Sequence, residues 1–206
     1  MRSIPLVILL AGLVITGKAQ DVNPVRTALL IVDIQEFYFP SENRPGLVNA
    51  EEAGLRAREV LQIFRDQHLP VVHVRHQSST GFEFNENVRP VEGEKVITKE
   101  EVNSFQGTDL LDYLHGKDIS RLVIIGMQTH MCLEAAVRAA YDYGFECVVV
   151  EDACATKDLR YGDKLVRAED VHASTLATLK NGGYATITDL AGFRENLETY
   201  LYKELP

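Results

Sequence analysis

"RLVIIGMQTHMCLEAAVRAAYDYG" spans Arg121–Gly144. It starts as an apolar run of strand length, turns a corner after Gly126, and continues as an Ala-rich helix closed by Gly144. Cys132 falls in the first turn of that helix, over residues 129–143. A strand feeding a helix is half of a βαβ unit, and the pattern on either side shows whether the unit repeats.

It does repeat. "TALLIVDI" (27–34) is apolar on both faces and β-branched, as a central parallel strand must be. Residues 49–68 place Leu55, Val60, Leu61 and Phe64 near helical spacing, and "LPVVHVRH" (69–76) is a second strand. A loop over 77–94 follows, long enough for a binding loop or lid. "KVITK" (95–99), "FECVVVED" (145–152) and "YATITD" (184–189) are further strands. Helices are expected over 107–117, 163–181 and 195–205. Alternation of this kind predicts a doubly wound α/β domain: a mostly parallel six-stranded sheet with helices on both faces.

The chain has 206 residues, 46% apolar and 25% charged, with a formal charge of −9, values that suit one sizeable domain. No basic cluster stands out, which argues against nucleic acid or an anionic membrane surface as partner. Residues 1–19 are set apart. Arg2, an apolar stretch from Ile4 to Thr16, and Gly17 and Ala19 two apart read as a signal peptide cut after Ala19. The apolar stretch is short for a membrane span, which needs about 20 residues. The single domain is therefore residues 20–206, secreted or periplasmic and free of the membrane once the leader is removed. Cys132, Cys147 and Cys154 are too few, and odd in number, for a disulfide scaffold. Cys147 lies in a strand and Cys154 just after it, and both read as structural.

Ligands of a doubly wound sheet bind beyond the carboxyl ends of its strands. Asp33 ends the first strand, Lys99 ends the third and Cys132 follows the fourth, so three unlike reactive groups could converge in one crevice. A free thiol has a pKa of about 8.5. A helix start, carrying about half a positive charge, and a nearby ammonium should both lower it. Asp33 could accept the thiol proton and return it to a leaving amine. His130 stands two residues before Cys132, and such helical neighbours do not face each other.

"ALLIVDIQ", "VITKEEVNSFQGTDL" and "GMQTHMC" resemble the three motif blocks of the isochorismatase-like cysteine hydrolases, which include nicotinamidase and N-carbamoylsarcosine amidohydrolase; the resemblance runs from about residue 26 to 188. It implies a catalytic triad of Asp33, Lys99 and Cys132, and a cis peptide between Met127 and Gln128. It also implies an oxyanion hole from the backbone N–H groups of Gln128 and Cys132. The implied reaction is hydrolysis of a small amide or ureide through a thioester on Cys132, with no cofactor, in a homo-oligomer. By position, Tyr38, Gln128 and Met131 line the pocket. Phe82, Phe84 and Phe105 either close over the substrate or anchor their loops, and Arg75 or Arg89 could hold a substrate carboxylate.

The chain departs from the nicotinamidases after the second strand, where their metal-binding Asp and His set would lie. His73 and His76, three apart on a strand, point to opposite faces, so no metal is expected and His73 reads as a buried, hydrogen-bonded histidine. His172 reads the same way. Two alternatives stand beside amide hydrolysis. One is cleavage of a vinyl ether, as isochorismatases proper perform without the cysteine; the other is a non-catalytic binding protein that kept the fold.

Overall fold

The computed structural model describes residues 25–203 and 205, so the expected leader and its cut after Ala19 lie outside the described residues. In chain order the elements are β1 (Thr27–Val32), α1 (Ala50–Asp66), β2 (Val71–His76), β3 (Lys95–Lys99), α2 (Leu110–Gly116), β4 (Arg121–Met127) and α3 (Glu134–Asp142). There follow β5 (Glu146–Ala155), β6 (Leu159–Tyr161), β7 (Lys164–Val166), α4 (Ala168–Asn181), β8 (Thr186–Thr188), α5 (Leu190–Glu195) and α6 (Leu197–Tyr202). The main sheet has six strands in the order β3-β2-β1-β4-β5-β8. Every pairing in it is parallel.

The strands are apolar on both faces because helices cover both. On β1, Ala28, Leu30 and Val32 face a core shared with Leu110, Leu114, Ala136 and Leu179, from α2, α3 and α4. Leu29 and Ile31 face the other core, with Ala57, Val60, Phe64, Phe193 and Leu201 from α1, α5 and α6. Each fully buried aliphatic side chain contributes about 1.5–3 kcal/mol. The central strands are thus the least exchangeable part of the chain.

Chain order reverses between β1 and β4: β2 and β3 extend the sheet to one side of β1, and β4, β5 and β8 to the other. A crevice opens at such a reversal, beyond the strand ends. Gly126 lets the two strands close there. Its φ is 148°, and a Cβ built on it would meet the Val32 carbonyl oxygen at 2.1 Å. Glycine is the residue that both the dihedral and the space accept.

Four expectations change. The helix expected over 163–181 begins only at Ala168, because residues 159–161 and 164–166 pair as an antiparallel hairpin around Gly162 (φ 59°). Asp158 Oδ1 then accepts the Ala168 N–H at 2.8 Å and sets the true helix start. The helix expected over 195–205 spans only Leu197–Tyr202, and an unexpected short helix, Leu190–Glu195, precedes it across Asn196, capped by Asp189 through the Gly192 N–H at 2.7 Å. The helix expected over 129–143 opens with a π-helical turn, Thr129–Leu133. Cys154 lies inside β5 rather than after it. All three cysteines are free and buried.

Candidate active site

The first group is fixed by β1. Asp33 follows the strand directly, with φ at 52° in the left-handed region, and its N–H donates to Val74 O at 2.9 Å. The second comes from β3, where Lys99 pairs in register with His76, the last residue of β2. The third comes from the π turn after β4, which carries Cys132, 5% exposed.

These three groups meet. Lys99 Nζ lies 2.8 Å from Asp33 Oδ2, both side chains fully buried. The same nitrogen donates to Cys132 Sγ at 3.4 Å. It also donates to the Glu101 carbonyl at 2.9 Å and to His76 Nδ1 at 3.3 Å. Hydrogen bonds from Lys99 and Cys132 both favour the charged form of the Asp33 carboxylate. Lys99 therefore neutralises Asp33 at contact distance while also meeting the sulfur.

That arrangement decides where the proton rests. Burial raises the Asp33 pKa above its ordinary value, against the pull of Lys99, Cys132 and His76. Burial, and then the Asp33 charge, push the Cys132 thiol up to about 12, with Lys99 only partly offsetting them. The expectation of a lowered thiol pKa is corrected here. Desolvation at 5% exposure and a carboxylate neighbour outweigh one ammonium. Burial thus favours the protonated sulfur and makes the neighbouring carboxylate more basic.

Of the expected pocket residues, two adjoin the triad. Tyr38 ends a short 3-10 turn, Glu36–Tyr38. Its hydroxyl pKa is raised by burial first and then by Cys132 and Asp33, while Gln128 pulls it down. Gln128 is 6% exposed, its Oε1 is buried without a partner, and the Met127–Gln128 peptide is cis, as the resemblance implies. The Gln128 N–H donates to no acceptor among the described residues. Met131 is instead 39% exposed.

The other candidates are placed as follows. His130 Nδ1 is 2.6 Å from Thr156 Oγ1, and His172 Nδ1 is 2.9 Å from Thr129 Oγ1. Phe105 is buried against Tyr143 and Phe145, and Phe84 is buried at the edge of the His73 ring. Both are anchors rather than covers. Phe82 lies under the Arg75 guanidinium, 3.9 Å from its ring centre, and Arg89 is exposed. Among the described residues, no group of three or more His, Cys, Asp or Glu side chains is arranged to hold a metal ion. A groove of about 830 Å³ runs past Val48, Arg56, Thr156 and His172 without reaching the triad. Its one cysteine, Cys154, is 6% exposed and directed at Val150 O.

Two residues escaped the sequence reading. In the sequence, His76 stands out only as a would-be metal ligand, and Gln35 only within a motif block. Gln35 is fully buried; its Oε1 accepts the His76 N–H at 2.7 Å and its Nε2 donates to the His76 and Phe82 carbonyls, both at 3.0 Å. The parallel register of β2 with β3 brings His76 to Lys99, and no sequence spacing reports that register.

His73 is buried and bonded, as its position suggested. Its Nε2 is 2.8 Å from Glu94 Oε2, and Arg65 Nε reaches Glu94 Oε1 at 2.7 Å. Burial pushes the Glu94 pKa up, but bonds from Arg65, the Val91 N–H and His73 outweigh it and hold the value at about 2, against 4.5. A lowered carboxylate pKa stabilises the fold above the unfolded value and ceases to as pH falls through the folded one. Glu94→Gln is expected to cost about 2 kcal/mol at pH 7. Denaturant titrations should show that gap closing as pH falls from 4.5 towards 2.

The isochorismatase domain model matches residues 27–189. The chain belongs to the isochorismatase family. The family protein YddQ of Bacillus subtilis is 44% identical, over 81% of this chain and 98% of its own length. A crystal structure of an isochorismatase-family hydrolase from Oleispira antarctica is 41% identical, with a TM-score of 0.76, covering 81% of this chain and 95% of that one. Nicotinamidase 3 of Arabidopsis thaliana is 24% identical over 87% of this chain and 93% of its own. The isochorismatase family is a family of hydrolases, and this chain is one of them. Its Asp33, Lys99 and Cys132 are the reactive side chains gathered at the β1/β4 reversal.

Proposed function

We propose that the protein is a cysteine hydrolase of the C–N bond in a small amide or ureide. The observation that carries this reading is one buried ammonium, 2.8 Å from a carboxylate and 3.4 Å from a thiol supplied by a different strand end. Asp33 takes the Cys132 proton as the sulfur attacks the carbonyl carbon, and Lys99 balances the charge that moves between them. The oxyanion is received by the N–H groups of Gln128 and Cys132; a hole of this kind contributes about 3 kcal/mol to the transition state. Asp33 then protonates the leaving nitrogen, the C–N bond breaks and a thioester remains. Water, deprotonated by Asp33, attacks the thioester; the acid leaves and the thiol is restored.

A carboxylate made more basic by burial and already meeting the thiol fits this sequence, because it can take that proton and return it. Tyr38 and Gln128 contact the substrate, with Met131 at the solvent edge. Relatives whose names specify amides, nicotinamidase 3 among them, support amide chemistry over vinyl-ether cleavage. We further propose that the protein is exported, on the strength of residues 1–19, and works as a homo-oligomer. The test is ammonia release from a panel of primary amides and ureides. At least one should turn over catalytically; release from none, alongside cleavage of a vinyl ether, would reverse the reading.

A further inference from the structure

We propose that the Gln128 side chain is a specificity-determining residue, whose Oε1 accepts a hydrogen bond from an N–H beside the scissile carbonyl, on the acyl side of the substrate. Gln128 is 6% exposed, and its Oε1 is buried without a hydrogen-bond partner among the described residues. A buried acceptor generally finds a donor, because an unpaired one forfeits the bonds it made to water. The other end of this amide is engaged. It donates to the Tyr38 hydroxyl oxygen, a contact that pulls the Tyr38 pKa down against burial. That contact sets which way the amide faces, and the oxygen is the end left open.

The acceptor stands at the reacting centre. Gln128 follows β4 directly, at the cis peptide that leads into the turn of Cys132, and Tyr38 feels the charges of both Cys132 and Asp33. A substrate held there has three polar parts to satisfy. In the proposed reaction its carbonyl oxygen goes to the backbone N–H groups of Gln128 and Cys132, and its leaving nitrogen to Asp33. What remains is the acyl group that stays on the sulfur. An N–H on its first atom, as in R–NH–CO–NH2, is the donor that matches the open oxygen. A methylene there, as in R–CH2–CO–NH2, strands it. The side chain therefore favours ureides over simple amides of the same shape. A site built around a hydrogen bond rejects the analogue lacking it far more sharply than an apolar pocket rejects one methylene.

This role rests on the cysteine-hydrolase reading, and its test pairs ureides with their methylene isosteres: methylurea with propanamide, phenylurea with phenylacetamide, and carbamoylglycine with succinamate. Ammonia release gives kcat/KM for each compound. Comparing the ratio within a pair between wild type and variant cancels the intrinsic reactivities. The ureide-over-amide ratio should fall by about a hundredfold in Gln128→Met, which keeps the backbone N–H and the chain length but has no oxygen. Gln128→Glu keeps an oxygen at that place and should hold the ratio within about fivefold of wild type. Calorimetric binding of the same pairs to Cys132→Ala needs no turnover and should favour the ureide by about tenfold or more in at least one pair. An unchanged ratio in Gln128→Met, or equal binding of ureide and isostere in every pair, would overturn the proposal. Should Gln128→Met fail to fold, the binding arm decides. Ureide preference in binding, with ammonia released from no compound, would overturn the hydrolase reading alone. Ammonia release without preference in any pair would overturn the role of Gln128 and leave that reading intact.

Discussion

Cys132→Ala is expected to lower ammonia release from the best substrate of the amide panel by about ten-thousandfold or more, because the group proposed to form the covalent intermediate is gone. The fold should persist. Cys132 belongs to the same buried core as Leu133, Ala136 and Phe105, and loss of its sulfur leaves a hole smaller than a methylene pair, costing about 1 kcal/mol. Stability by denaturant titration should therefore change little while turnover vanishes. The proposed oxyanion donors are backbone groups that survive the substitution, so residual activity above the uncatalysed rate is expected rather than none. A vinyl ether, if cleaved at all, would be cleaved equally well by the variant. Amide turnover within tenfold of wild type in Cys132→Ala would remove the thioester from the mechanism.

The second large effect concerns the pair beneath the sulfur. Lys99→Met should cost about 3–5 kcal/mol of stability, since it leaves Asp33 charged and unpaired in a fully buried setting. In a domain of this size that lowers the melting midpoint by about 10 °C. Turnover should fall as well, because nothing then balances the charge transferred between Asp33 and sulfur. The pH dependence has a definite sign. A carboxylate whose folded pKa is raised binds its proton more tightly when folded, so the penalty is full above that pKa and fades as pH falls through it. The gap between Lys99→Met and wild type should therefore narrow in acid. Combining it with Asp33→Asn should restore most of the stability and none of the activity. A double variant as unstable as Lys99→Met would show that the cost lies in packing, not in the unpaired charge.

Much of this fold was legible because parallel strands covered on both faces leave a plain signature. "TALLIVDI" and "RLVIIGM" have no polar face, and a segment of that kind has few places to go but the middle of an α/β sheet. Their ends carried the site for the same reason, since Asp33, Lys99 and Cys132 each stand where an apolar run stops. The hairpin at 159–166 was missed because its apolar residues, Leu165 and Val166, are exposed and mimic one turn of the helix that follows. His76 and Gln35 were missed for a different reason. Their roles depend on register and on a turn that returns the chain to the strand end, neither of which leaves a spacing to read. The thiol's ionisation was misjudged because the sequence reports which charges stand near Cys132 but not how much water remains. With 5% exposure, desolvation decides the sign.

The most direct measurement is the mass of the enzyme caught during turnover. Wild-type protein mixed with its best amide and quenched in acid within the first turnover should carry the substrate's acyl group on the peptide containing Cys132, and Cys132→Ala should carry nothing. Ammonia released by a wild-type enzyme whose Cys132 stays unmodified, or an adduct formed on any other residue, would contradict the assignment of this sulfur as the nucleophile.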